Sequence, residues 1–77
     1  MKACIDLKLF ASLSHFTPDY SDKYSITPGL TVGELLEQLG VSAKEAKLIF
    51  VNGKKGDLTS TLHGGERVGI FPPVGGG

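Results

Sequence analysis

The chain has 77 residues, 40% of them hydrophobic, with eight acidic and eight basic side chains and a formal net charge of zero. That length makes one small domain with a thin stability margin. The lysines are scattered apart from Lys54-Lys55, so no basic stripe is available for a nucleic-acid backbone. A lone cysteine, Cys4, allows no internal disulfide and suits a reducing compartment. No stretch approaches the roughly 20 apolar residues of a membrane span. The N-terminal segment carries Asp6 early and has no signal-peptide pattern. The expectation is a cytoplasmic protein with neither a nucleic-acid nor a membrane partner.

Ile5, Leu7 and Leu9 alternate with Asp6 and Lys8, the period of a strand with one buried face, and Phe10 extends it. A mostly polar loop with Pro18 runs from Ser12 to Asp22. Lys23 to Thr27 reads as a second short strand with Tyr24 and Ile26 on one face, and Pro28-Gly29 marks a turn. Thr31-Val32-Gly33-Glu34 fits a capping box. Val32, Leu35, Leu36 and Leu39 follow at helical spacing, and Gly40 stands where a C-terminal cap belongs. Gly33 costs the helix about 1 kcal/mol against alanine, which points to close packing on the sheet. Ser42-Ala43-Lys44-Glu45 repeats the cap pattern and suggests a shorter helical piece.

Leu48 to Val51 reads as a buried strand. Asn52-Gly53 is a two-residue hairpin signal, with Lys54-Lys55 opening the return strand. Asp57 to Leu62 reads as a turn or short helical bend, and Gly64-Gly65 as another turn. Arg67 to Phe71 is the last strand. Pairing should stop at Pro72 and Pro73, which lack backbone donors. Strand, strand, helix, strand, strand, strand is an α+β order. It suits a ubiquitin-like β-grasp roll, a mixed four- to five-stranded sheet on one main helix. A ferredoxin-like arrangement would need a second long helix. The expected division is a domain over 1–71 and an extended tail over 72–77.

Self-contained chemistry is not legible. Cys4, His15 and His63 have no ligand spacing, so no metal is expected, and both histidines fall in loop-like segments. Cys4 reads as a small strand residue. The glycines do not form a phosphate loop. Ser12 and Ser14 near His15 do not make a triad. The carboxylates show no clustered acid/base pair, and no bound cofactor is expected.

The tail is the informative segment. Glycine runs are ordinarily flexible linkers, yet Gly75-Gly76-Gly77 stand at the end, where a linker has nothing to join. Phe71-Pro72-Pro73-Val74 precede them. A free terminal carboxyl ionises with a pKa of about 3.3–3.7 and is then a poor electrophile. Joining it to AMP supplies a leaving group, and a sulfur donor can displace AMP to leave a thiocarboxylate. An ATP-using partner must do this work. Six residues from Pro72 to Gly77 span about 20 Å when extended, stiffened at first by proline. Three glycines can then pass a narrow channel. A methyl at Gly76 should obstruct it, whereas Gly75 should tolerate more. Phe71 and Val74, with Leu62, are candidates for the edge of an exposed apolar patch read by the partner. Phe71 could equally close the core.

These residues resemble the MoaD/ThiS sulfur-carrier family. The most specific part is Ile70-Phe71-Pro72-Pro73-Val74-Gly75-Gly76-Gly77. Leu9-Phe10-Ala11, Thr31-Val32-Gly33-Glu34-Leu35-Leu36, Val51-Asn52-Gly53 and Leu62-His63-Gly64-Gly65-Glu66-Arg67-Val68 support it. Glu66 departs mildly from the aspartate often found there. The resemblance implies a carrier that is not itself an enzyme. Its Gly77 carboxylate, with Gly76 beside it, would be adenylated by a MoeB/ThiF-type enzyme using ATP and then thiocarboxylated. Phe71, Pro72, Pro73, Val74, Gly75 and Leu62 would contact partners. In the MoaD branch the tail would enter a MoaE-type large subunit and supply the sulfur of molybdopterin; in the ThiS branch it would supply thiamin thiazole. Phe71-Pro72-Pro73 and the long loop after the first strand favour MoaD. Sulfur transfer to another acceptor and attachment to lysines as a protein modifier are the remaining alternatives.

Overall fold

The computed structural model describes residues 3–73. Seven strands and one α-helix follow one another. β1 (Ala3–Leu9), β2 (Tyr24–Ile26) and β3 (Leu30–Thr31) precede α1 (Val32–Leu39). β4 (Leu48–Val51), β5 (Lys54–Lys55), β6 (Thr61–Leu62) and β7 (Arg67–Phe71) come after it. Five strands form a mixed sheet in the order β2-β1-β7-β4-β5, and β3 and β6 make a separate two-stranded ribbon. The first and last strands, β1 and β7, lie parallel at the centre, with Asp6 opposite Arg67 and Leu9 opposite Ile70. β7 pairs antiparallel with β4 on its other side.

The alternation in β1 comes out as expected. Ile5, Leu7 and Leu9 are buried, as are Val68 and Ile70 of β7 and Ile49 of β4. Val32, Leu35 and Leu36 of α1 pack into the same cluster, with Leu13, Ile26, Val41 and Leu62. Fully burying one such side chain contributes about 1.5–3 kcal/mol, so this single cluster carries most of the domain's cohesion.

α1 begins and ends at the expected residues. The Thr31 hydroxyl accepts from the Glu34 N–H at 3.1 Å, and the Glu34 carboxylate accepts from the Thr31 N–H at 2.9 Å, closing the capping box. Gly40 takes the left-handed conformation at φ 80° and ends the helix. Gly33 differs from expectation in what it packs against. A Cβ there would lie 3.2 Å from the Leu58 carbonyl oxygen, which accepts from the Gly33 N–H at 2.9 Å. The close approach is to the loop before β6, not to the sheet.

Two further differences concern short elements, and the short helical piece expected after Ser42 is present. Residues expected as a plain loop form two 3-10 turns, Ala11–Phe16 and Ser21–Lys23, and the first buries Leu13. His15 therefore sits in a helical turn. The two-residue strands β3 and β6 were not expected; the stretch before Leu62 makes its turn and then pairs with Leu30–Thr31. The piece after Ser42 is a single 3-10 turn, Ala43–Glu45, capped by the Ser42 hydroxyl.

Candidate docking face at the base of the tail

One face of the main sheet meets α1 and the core; the other is open. Side chains opposite one another in paired strands share a face, so the registers write the open face out in rows. Asp6 of β1 stands beside Arg67 of β7, with Asn52 of the hairpin beyond. The next row is Lys8, Gly69, Phe50 and Lys55, across β1, β7, β4 and β5. The third is Phe10, Phe71 and Leu48.

The third row is where the chain leaves the sheet. Because β1 and β7 are parallel, their C-terminal ends lie side by side. The Phe10 N–H donates to the Ile70 carbonyl at 3.1 Å, continuing the ladder one residue past β1. The Phe10 and Phe71 rings stack at a centroid distance of 4.2 Å and an interplanar angle of 1°. Phe50 meets Phe71 edge-on at 5.8 Å and 86°. Such offset or T-shaped pairs contribute about 0.5–1.5 kcal/mol beyond their burial. Phe10 remains 37% exposed, so the cluster presents ring surface to solvent instead of closing the core.

Between the aromatic rings and the charged end lies a concavity of about 350 Å³, bordered by Asp6, Lys8, Phe10, Phe50, Arg67 and Phe71 with Gly69 at its floor. The charged end is held by the hairpin. Asn52 (φ 54°) and Gly53 (φ 79°) both take positive φ, as a tight hairpin turn requires. Asn52 also clamps β7: its N–H donates to the Arg67 carbonyl at 2.8 Å and its Oδ1 accepts from the Arg67 N–H at 2.9 Å.

The approach to β7 is fixed by Glu66. Its carboxylate accepts from the N–H groups of His63 at 2.8 Å and Gly64 at 2.7 Å. Desolvation pushes this carboxyl up, but the amide donors and the nearby His63 outweigh it and hold the pKa below the ordinary 4.5. The neighbouring Gly65 N–H donates to the Cys4 carbonyl at 2.7 Å, and the Asp6 N–H to the Glu66 carbonyl at 2.9 Å. The turn is thereby stitched to β1, and β7 starts in register.

The sequence candidates fall out as follows. Phe71 is half-buried on the open face within the aromatic cluster. Pro72 is half-buried and Pro73 exposed, and β7 ends at Phe71 as the prolines require. Leu62 is corrected: it is 0% exposed, held in the core by the β3–β6 ribbon, and contributes nothing to an exposed patch. Val74, Gly75, Gly76 and Gly77 lie outside the described residues. The open face also gathers Phe10, Phe50, Gly69, Lys8 and Arg67 around Phe71, residues that the sequence candidates did not include. The signal was available in the same period of two, since Asp6, Lys8 and Phe10 alternate with the buried Ile5, Leu7 and Leu9.

Among the described residues no three His, Cys, Asp or Glu side chains are grouped to hold a metal ion. No helix among them is long and apolar enough to cross a membrane.

Solved structures share this architecture. The HVO 2177 protein of Haloferax volcanii superimposes with a TM-score of 0.72 at 22% identity, over 99% of this chain and 88% of that one. SAMP1 from Haloferax volcanii gives 0.66 at 24% identity, over 97% and 100%. A Pyrococcus furiosus protein described as molybdopterin converting factor, subunit 1, gives 0.61 at 25% identity, over 94% and 99%. No curated protein sequence shows significant similarity to the chain. The ThiS family matches residues 7–77, nearly the whole chain. With the ubiquitin-like β-grasp sheet and its single main helix, that match establishes that the chain belongs to the ThiS family of small MoaD/ThiS-type sulfur-carrier proteins.

Proposed function

We propose that this chain carries sulfur on the carboxylate of Gly77 and that the open face of its sheet is the handle by which partner enzymes hold it. The observation that supports this most is the placement of the exit strand. β7 runs through the middle of the sheet and ends where the half-buried ring of Phe71 stacks on the exposed ring of Phe10. A partner gripping those rings therefore receives Pro72 and Pro73 at a fixed point and direction. Pre-positioning of this kind lowers the entropic cost of bringing a flexible end to a reactive centre.

The chemistry follows from the carboxylate. One of its oxygens attacks the α-phosphorus of ATP in a MoeB/ThiF-type partner, forming an acyl–O–P bond as pyrophosphate departs. Hydrosulfide, or a protein-bound equivalent, adds to the carbonyl carbon. AMP leaves with the electrons of the C–O bond, and a thiocarboxylate remains. ATP belongs to the partner's active site. The chain contributes the carboxylate, a narrow glycine approach through Gly75 and Gly76, and the docking face formed by Phe71 with Pro72, Pro73 and Val74.

For the destination of the sulfur, we favour molybdopterin, with the chain as small subunit beside a MoaE-type large subunit. Phe71-Pro72-Pro73 and the similarity to the Pyrococcus furiosus protein support this branch. Thiamin thiazole is the alternative acceptor.

The test is intact-mass measurement after incubation with the adenylating enzyme of the same genome, ATP and a sulfur source. The mass should rise by the difference between one sulfur and one oxygen atom. Deleting Gly77 should abolish the rise. An unchanged mass, with the enzyme shown active on its own ATP exchange, defeats the proposal. Addition of the resulting thiocarboxylate to a MoaE-type subunit and the molybdopterin precursor separates the two branches.

A further inference from the structure

We infer that the hollow over Gly69 receives a single aliphatic side chain of the adenylating partner, and that a partner carboxylate is set against Arg67 and Lys8. This deepens the carrier reading above and rests on it.

Gly69 is the centre of the open face. Lys8 and Phe50 flank it across the strands, Arg67 and Phe71 precede and follow it on the same face, and the concavity lies directly above. Glycine within a strand weakens it and often marks a place where something approaches closely. Here the fold does not demand glycine. Its φ is outside the positive region that favours glycine. A Cβ would lie 3.4 Å from a ring carbon of Phe10 and 3.9 Å from one of Phe71, which is ordinary contact. Alanine would fit and would improve strand propensity. What it would take away is the floor of the hollow. The absent side chain is therefore accounted for by an occupant from outside the chain.

The walls say what that occupant is. Phe10, Phe50 and Phe71 offer apolar surface on the tail side, which suits an aliphatic group. Lys8, Lys55 and Arg67 on this face outnumber Asp6, while Glu34 and Glu37 lie exposed on α1, across the sheet. The open face is thus basic although the net charge of the chain is zero. A second copy of this chain brings its own basic face, and like charges oppose that pairing. An acidic rim around an aliphatic knob is complementary.

The experiment compares the wild-type chain with Gly69→Ala, Gly69→Leu, Lys8→Glu and Arg67→Glu. Each is titrated against the purified ATP-dependent adenylating enzyme of the same genome by calorimetry, with association rates measured at two salt concentrations. Thermal unfolding of every variant shows that it is folded. Gly69→Ala should unfold at the wild-type temperature or above it and yet bind about tenfold more weakly, as expected for the centre of an interface. Gly69→Leu should bind more weakly still. The charge reversals should slow association and flatten its salt dependence. Folded Gly69→Ala and Gly69→Leu chains with wild-type affinity overturn this inference and leave the carrier function standing. A concentration-dependent dimer of the chain alone that Gly69→Leu abolishes also overturns it, in favour of self-association. Failure of the wild-type chain both to bind and to gain sulfur removes the carrier reading itself.

Discussion

Phe10 and Phe71, sixty-one positions apart in the chain, stack with their ring planes 1° from parallel because β1 and β7 run side by side in the same direction. The two rings should be energetically coupled. In a double-mutant cycle of Phe10→Ala, Phe71→Ala and the pair, urea unfolding should give a coupling of about 0.5–1.5 kcal/mol. Strict additivity would mean that the stack contributes shape and not cohesion.

Leu62 and Phe71 should part company when tested for stability and for partner binding. Leu62 is fully buried, so Leu62→Ala should cost about 2–5 kcal/mol, enough to threaten a domain of this length. Leu62→Met keeps the volume and should cost less than about 1.5 kcal/mol. Its sulfur loading by the adenylating enzyme should match wild type. Phe71→Ala should instead stay folded and load poorly. Loss of loading in a folded Leu62→Met chain would return Leu62 to the docking surface.

Gly64 should be the least replaceable glycine among the described residues. Its φ is 128°, and a Cβ would fall 2.6 Å from the Ala3 Cβ. Gly29 also has positive φ, 96°, but open space around it. Gly29→Ala should therefore show the conformational cost alone, about 1 kcal/mol. Gly64→Ala adds a clash against β1 and should lose more, by about 1–3 kcal/mol. Thermal melts of Gly64→Ala with and without Ala3→Gly separate the two contributions: relieving the clash should recover part of the loss.

Acid should weaken the domain through three carboxylates. Glu34 is held below its ordinary 4.5 by its bonds from Thr31. Asp57 is held below 3.8 by its bonds from Thr59. Glu66 is held below 4.5 by the amides of its turn, against a desolvation that pushes the other way. A carboxyl whose pKa is lower in the folded than in the unfolded state stabilises fully above the unfolded value. That contribution fades as the pH falls through the folded value. Urea midpoints should be level from neutral pH down to about pH 4.5 and decline below it. Glu66→Gln should shrink the decline. An identical decline in the variant would show that Glu66 plays no part in it.

Much of the architecture is legible because the sequence repeats itself at the right period. The capping box at Thr31 and the glycine at position 40 bracket α1. Alternation marks β1 and β7, and the Asn52-Gly53 pair announces its hairpin. The misses have physical causes. β3 and β6 are two residues long, too short to show any period, and they exist only because each pairs with the other. The turn burying Leu13 is held from outside, by β1 and β7. Phe10 and Phe50 obey the same alternation as their neighbours. They were passed over because aromatic residues ordinarily face a core, and here the face they occupy is open. The tail motif was legible as a mark of the family, while the floor of the hollow was not legible: only the sheet register places Lys8 and Phe50 beside the glycine between Val68 and Ile70.

The central parallel pairing also sets an order on biosynthesis. β1 leaves the ribosome first, yet the strand on its inner side is β7, the last of the seven. Until Phe71 has emerged, Ile5, Leu7 and Leu9 lack the neighbour that completes their shelter, and the ring of Phe10 has nothing to stack upon. A chain interrupted before β7 lacks the strand that carries Arg67, Gly69 and Phe71, so its open face is unfinished. Under the carrier function proposed above, recognition of this face would double as proofreading, since only a chain translated as far as Phe71 completes it.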